Sequence, residues 1–301
     1  MLIVTYRKVF FALTGFIVAA SIVAIFMFGL RLSTDFTGGT LVEVSYGAGA
    51  RPTVSMLSDA LSASSVLDAT VRESGSGFTI RAGNLTPEER GVLPDTLSVG
   101  GQYQPTIDRL SDVGPTIGKE LRNKSILAVS LVLLCILLFI AFAFRKVSKP
   151  VSSWGYGLMA IVGLVHNVIV TFGFFALLGY LFGAQIDTLF VTAVLTVLGF
   201  SVHDTIVVFD RIRENLKINN ERNRREDFEL TVGRSLNQTF VRSINTSLTV
   251  VITLLALFFM GPASTQNFVL TLLAGIIAGT YSSLALSSPL LVVWERSRAK
   301  K

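Results

Sequence analysis

The 301-residue chain is 51% hydrophobic and 15% charged, well short of the roughly one-quarter charged content of an ordinary soluble domain, which it therefore excludes. Its formal net charge of +6 is divided among separated segments, so it builds no nucleic-acid platform. A single cysteine, Cys135, excludes a disulfide framework or a cysteine metal site.

Apolar runs near 9–30, 125–144, 155–182, 188–209, 239–260 and 267–294 each reach the roughly 18 residues needed to cross a bilayer. The first follows Arg7 and Lys8 but is too long for a signal-peptide core and lacks a small-x-small cleavage site, so it reads as an uncleaved span. The pattern predicts an α-helical polytopic membrane protein with six spans. Of the 26 basic residues, 16 lie in alternate segments: Arg7 and Lys8; Arg145, Lys146 and Lys149; seven between 210 and 238; and Arg296, Arg298, Lys300 and Lys301. The bias of Lys and Arg toward the cytoplasmic side makes both termini cytoplasmic. It divides the chain into 1–30 (N-terminus and first span), 31–122 (an extracytoplasmic domain), and 123–301 (spans two to six, with a cytoplasmic loop 210–238). Cys135 reads as a small hydrophobe packed within the second span.

The segment 31–124 holds nine basic and eleven acidic residues and is the one part able to form a water-soluble domain. After the glycine turn of DFTGGT, Leu41, Val42, Val44 and Tyr46 predict a strand. Residues 52–64 place Val54, Leu57 and Leu61 on one helical face behind Pro52. Strands near 66–73 and 77–82 flank the turn-prone SGSG. Thr86 with Glu89 three residues on predicts a capped helix. YQPTIDRLSDVG returns as a strand before PTIGKELRNK enters the second span. A small α/β sandwich fits this order. DFTGGT lacks the lysine and following helix of a phosphate loop.

Ionisable side chains at membrane depth cost at least about 2.5 kcal/mol, which marks each as a functional candidate. Four stand clear of the ends: His166, His203, Asp204 and Arg242. Asp204 and Arg242 sit within roughly 5–8 Å of the inner boundary on antiparallel spans, which predicts an Asp–Arg pair. That pair reads as a proton relay; the alternatives are a purely structural buried pair, or an Arg242 side chain that snorkels to the interface. Ser201 on the face of Asp204, and Ser243, Thr246 and Ser247 near Arg242, are candidate supports. His203 points about 100° away from Asp204, and His166 lies near mid-membrane beside Asn167; each is a packing residue or a support for the relay. Two histidines without a third ligand make no metal site. Asp210 is interfacial, and Gly275 with Gly279 forms a GxxxG packing pair.

DFTGGT, VGPTIGKEL (113–121), GFSVHDTIVVFDRIREN (199–215) and LNQTFVRSINTS (236–247), in this order on a six-span frame, resemble the SecF side of the SecD/SecF protein-export family. That family belongs to the resistance-nodulation-division superfamily. The resemblance implies two six-helix halves, the other being SecD, driven by the proton motive force with no bound cofactor. It places the family's fourth-span aspartate on Asp204 and its fifth-span arginine on Arg242. It further implies a bacterial inner-membrane location and an accessory role at the SecYEG translocon, where outward domains act on an unfolded preprotein. His203 stands where many relatives carry Asn, and Asn167 where relatives often carry Asp, so no proton role transfers to position 167.

The competing readings are a proton-driven small-molecule or lipid exporter half of the same superfamily, and a passive scaffold. An exporter predicts a second inserted outer domain, which the short segment 183–187 leaves no room for. Enzymatic activity is not expected: no nucleotide motif is present, and the outer segment has neither histidine nor cysteine.

Overall fold

The computed structural model describes residues 2–47, 51–64, 69–74, 77–143, 151–224 and 226–299, and divides into two compact units. One, the helical unit, holds residues 1–31, 127–184 and 189–301; the other, the sheet unit, holds 32–126 and 185–188. Arg145, Lys146, Lys149, Arg225, Lys300 and Lys301, used above to assign sidedness, lie outside the described residues, as do 66–68 of the predicted strand 66–73.

In the sheet unit, β1 (Gly39–Tyr46), β2 (Thr70–Ser74), β3 (Gly77–Ala82) and β4 (Pro105–Val113) form an antiparallel sheet in the order β2-β3-β1-β4. Period-two alternation along β1 turns Val42, Val44 and Tyr46 to one face, where they meet Phe78 and Ile80 of β3. The helices Val54–Ala63 and Pro87–Leu97 cover that face with Leu57, Leu61, Leu93 and Leu97. Each starts on a threonine: Thr53 caps the first, and Thr86 with Glu89 completes the predicted capping box of the second. The Tyr46 hydroxyl donates to the Leu97 carbonyl at 2.9 Å, and burial pushes its pKa up to about 12.

The chain turns at the glycines of DFTGGT, as the sequence predicts: the short helix Thr34–Thr37 ends at Gly38, φ +80°, and β1 begins at Gly39, φ +124°. A Cβ on Gly38 would lie 2.9 Å from the Pro115 Cα, so this glycine lets the turn rest against the VGPTIGKEL segment. Just before the motif, Ser33 N–H donates to the Ile186 carbonyl, and Oδ2 of Asp35, its first residue, accepts from both the N–H and the hydroxyl of Thr188, at 3.0 and 2.8 Å. Burial lowers the pKa of Arg81, and Arg72 adds to this, while the carboxylates of Asp187, Asp35 and Glu43 oppose it.

Among the described residues, six helices are long and apolar enough to cross a membrane: Arg7–Phe28, Pro115–Ala143, Ser153–Phe182, Thr188–Glu221, Phe228–Met260 and Gln266–Arg298. The fourth and fifth outrun the predicted apolar runs because their polar ends are zipped together. Asn215 donates to Ser235 at 2.8 Å, and Asn219 to Thr231 at 3.1 Å and Glu226 at 2.7 Å. The segment 210–238 is thus helical at both ends, up to Glu221 and again from Phe228. Burial works to raise the Glu226 pKa, but hydrogen bonds from Asn219 and Thr231 and the positive Arg234 and Arg224 outweigh it and hold the group below its ordinary value. Glu229 joins Arg7 of the first span, at 2.6 Å, to Arg296 of the sixth.

The sixth and fourth spans pack closely through the GxxxG pair. A Cβ at Gly275 would collide with the Val197 side chain, and one at Gly279 would lie 3.1 Å from Ser201 Cβ. Around this contact Ala193, Val197, Leu254, Val269, Leu272 and Ile276 form a buried cluster. The second span contributes little to such packing, and Cys135 is exposed on its surface rather than enclosed by neighbours as the sequence predicted. The cause is a span apolar on all sides, suited to facing lipid.

Candidate functional site

Asp204 lies on the buried side of the fourth span with 6% of its surface exposed. Ser201 and Thr205 share that side, while His203 faces outward, consistent with the predicted 100° offset. A carboxylate at this depth needs donors, since lipid supplies none. The donor is Ser283 of the sixth span, whose Oγ lies 2.5 Å from Asp204 Oδ2.

Arg242 does not fill that place. No ion pair within 4.0 Å joins it to Asp204 among the described residues, so the predicted direct Asp–Arg contact is not formed. Close packing of the fourth span on the sixth turns Asp204 toward Ser283, whereas Arg242 is exposed on the fifth span. The two groups instead share a small cavity of about 10 Å³, lined by Phe200, His203, Asp204, Val207, Arg242, Ser243 and Thr246. That is the scale of one water molecule. The structure therefore brings His203, Asp204, Arg242, Ser243 and Thr246 together around a space rather than in contact.

Of the other predicted supports, Ser201, His166 and Ser247 take part in hydrogen bonds between side chains. Asn167 donates to Ser201 at 2.6 Å and pairs through its oxygen with His166 Nδ1 at 3.0 Å. His166 is 4% exposed, and its Nε2 has no partner among the described residues. The Ser247 hydroxyl of the fifth span and the Thr280 hydroxyl of the sixth meet at 2.5 Å. Ser243 is buried with its hydroxyl unpartnered among the described residues, and Thr246 donates to its own helix at the Arg242 carbonyl. One carboxylate, one arginine, two imidazoles and several hydroxyls thus lie in or near this part of the membrane-spanning unit.

Sequence reasoning missed Ser283 and Thr280, and left Asn167 without its partner. A serine in an apolar run reads as packing. The available signal was the serine-rich SSLALSSP of the sixth span, whose proline marks a break in the helix.

Two family models match the chain. That for the C-terminal region of the protein export membrane proteins SecD/SecF covers residues 97–297, and that for the SecD/SecF GG motif covers residues 23–50. The protein translocase subunit SecF of Thermobaculum terrenum is 44% identical over 307 residues, spanning 97% of this chain and 93% of its own. That of Anaerolinea thermophila is 38% identical over 291 residues, spanning 96% and 92%. Among solved structures, SecDF of Thermus thermophilus, a translocon-associated membrane protein, matches with a TM-score of 0.84 and 32% identity over 97% of this chain. This chain corresponds to 38% of that SecDF chain. By sequence over nearly its whole length and by fold, the chain belongs to the SecD/SecF family of protein-export membrane proteins.

Proposed function

We propose that this multi-pass membrane protein is an accessory subunit of the Sec protein-export machinery. With a SecD partner half, it uses the proton motive force to promote preprotein translocation and release on the outer side of the membrane. The observation that carries the reading is Asp204, a buried carboxylate that lines a water-sized cavity together with Arg242. Proton uptake by Asp204 removes the charge that Arg242 faces and turns an acceptor into a donor, which biases the packing of the fourth, fifth and sixth spans. Energy enters through the ion gradient, with no bound cofactor.

The partner half has support in the exposed faces. Thr192, Thr196, Gly199 and His203 lie along one exposed side of the fourth span, and Arg242, Asn245, Thr246 and Thr249 are exposed on the fifth. Small and hydroxylated residues at membrane depth suit close contact with other helices, because lipid tails offer no hydrogen bonds. Charge placement supports both termini inside, and membership of the SecD/SecF family supports a bacterial cytoplasmic (inner) membrane location. SecYEG and an unfolded preprotein follow as partners from the family's role. The exporter reading is not favoured, since the turn from Gly183 to Asp187 leaves no place for a second outer domain.

The test is Asp204→Asn in membranes that also contain SecD and SecYEG. Proton-dependent stimulation of export is lost while insertion and SecD association persist; a variant that stimulates export normally refutes the relay.

A further inference from the structure

The sixth span is not one regular helix. α-Helix from Gln266 to Ser282 gives way to a π-helical turn, Ser283–Ser287, before α-helix resumes at Ser288. Pro289 supplies a cause: it has no N–H to donate, and its ring crowds the carbonyl four residues back, at Ala285. The wider turn fits this obstruction, and π turns of this kind gather at functional sites. Ser282, Ser283, Ser287 and Ser288 are all essentially buried. Three have acceptors: Ser282 donates to the Gly279 carbonyl, Ser288 to the Ser283 carbonyl at 2.8 Å, and Ser283 to Asp204. The Ser287 hydroxyl has no partner among the described residues.

Ser283 has a second acceptor within reach, the Thr280 carbonyl at 3.0 Å. One hydroxyl proton serves two acceptors. Donation to an ionised carboxylate is the stronger bond, so Asp204 claims it while charged. Once Asp204 carries a proton, the carboxyl donates and the Ser283 proton turns to Thr280, with no helix movement required.

We infer that Ser283 is a positioning residue for Asp204, presented by the π turn of the sixth span and switching its hydroxyl between the Asp204 carboxylate and the Thr280 carbonyl. This deepens the relay reading and rests on it. The titratable and charged groups around the exchange are Asp204 itself, His203 and Arg242 at the cavity, and His166 through Asn167 and Ser201.

The test uses the full chain with its SecD partner in sealed vesicles, with proton flux read by an internal pH dye across a range of imposed gradients. Ser283→Ala removes the donor that favours ionised Asp204, so the half-saturating proton concentration falls about ten-fold and release slows. Ser283→Thr keeps the hydroxyl and restores the parent behaviour. Ser287→Ala, the same change in the same turn, leaves the half-saturating concentration unmoved. An unmoved value in Ser283→Ala, or an equal shift in Ser287→Ala, overturns the assignment. If Ser283→Ala fails to accumulate, the near-isosteric pair Ser283→Thr and Ser283→Val decides by the same criterion. Undiminished flux in Asp204→Asn refutes the relay itself; flux abolished there but unaltered in Ser283→Ala overturns only the role of Ser283.

Discussion

Glu229 offers a quantitative check on how the ends of three spans are held. Its Oε1 meets Arg7 at 2.6 Å and its Oε2 meets Arg296. The two arms differ in exposure: the Arg7 side chain is 18% exposed and that of Arg296 51%, against 22% for Glu229. A hydrogen bond to a charged group contributes about 1.5–3 kcal/mol when sheltered, and an exposed ion pair about 0.2–1 kcal/mol. Discounting the first for partial exposure gives a coupling of about 1.5 kcal/mol to Arg7 and about 0.5 kcal/mol to Arg296. Double-mutant cycles from Glu229→Ala, Arg7→Ala and Arg296→Ala, read by denaturation in detergent, measure both terms. Added salt weakens the Arg296 coupling more than the Arg7 coupling. An Arg296 coupling equal to or above that of Arg7, or two negligible couplings, refutes the assignment of the sheltered arm as the main clamp.

Tyr46 gives a pH dependence. Burial raises its folded pKa from the ordinary 10 to about 12, so its contribution is fully present below pH 10 and is lost as pH rises toward 12. Tyr46→Phe removes this fall, seen as the difference between the two proteins' melting temperatures from pH 8 to 12, and costs about 1 kcal/mol below pH 10 for the bond to Leu97. Equal slopes in the two proteins contradict it. At Asp35, replacement by Ala removes the acceptor for the Thr188 N–H and hydroxyl, so amide exchange at Thr188 quickens about five-fold, as expected for a lost helix cap. Asp35→Asn keeps most of the protection, and unaltered exchange in Asp35→Ala refutes the cap.

The six spans, the strand β1 and the Thr86 capping box are legible because each depends on local spacing: apolar length, period-two alternation and a three-residue interval. Depth is legible too, since rise per residue brings Asp204 and Arg242 to one level. Their relative rotation is not, because it depends on which spans touch. The Gly275 and Gly279 contacts bring the sixth span against Val197 and Ser201, and this gives Asp204 a serine rather than the arginine as its partner. The fourth and fifth helices extend past the apolar runs for a related reason. Asn215, Asn219, Thr231 and Ser235 read singly as solvated polar residues, yet paired across the hairpin they are buried.

The central claim is that Asp204 couples ion movement to export. Its most direct measurement is simultaneous proton flux and preprotein release in sealed vesicles holding SecYEG, SecD and either this chain or its Asp204→Asn variant. Under an imposed proton gradient, preprotein is expected to accelerate flux through the parent chain, sodium not to replace protons, and Asp204→Asn to lose both flux and stimulated release. Full gradient-dependent release by Asp204→Asn contradicts it.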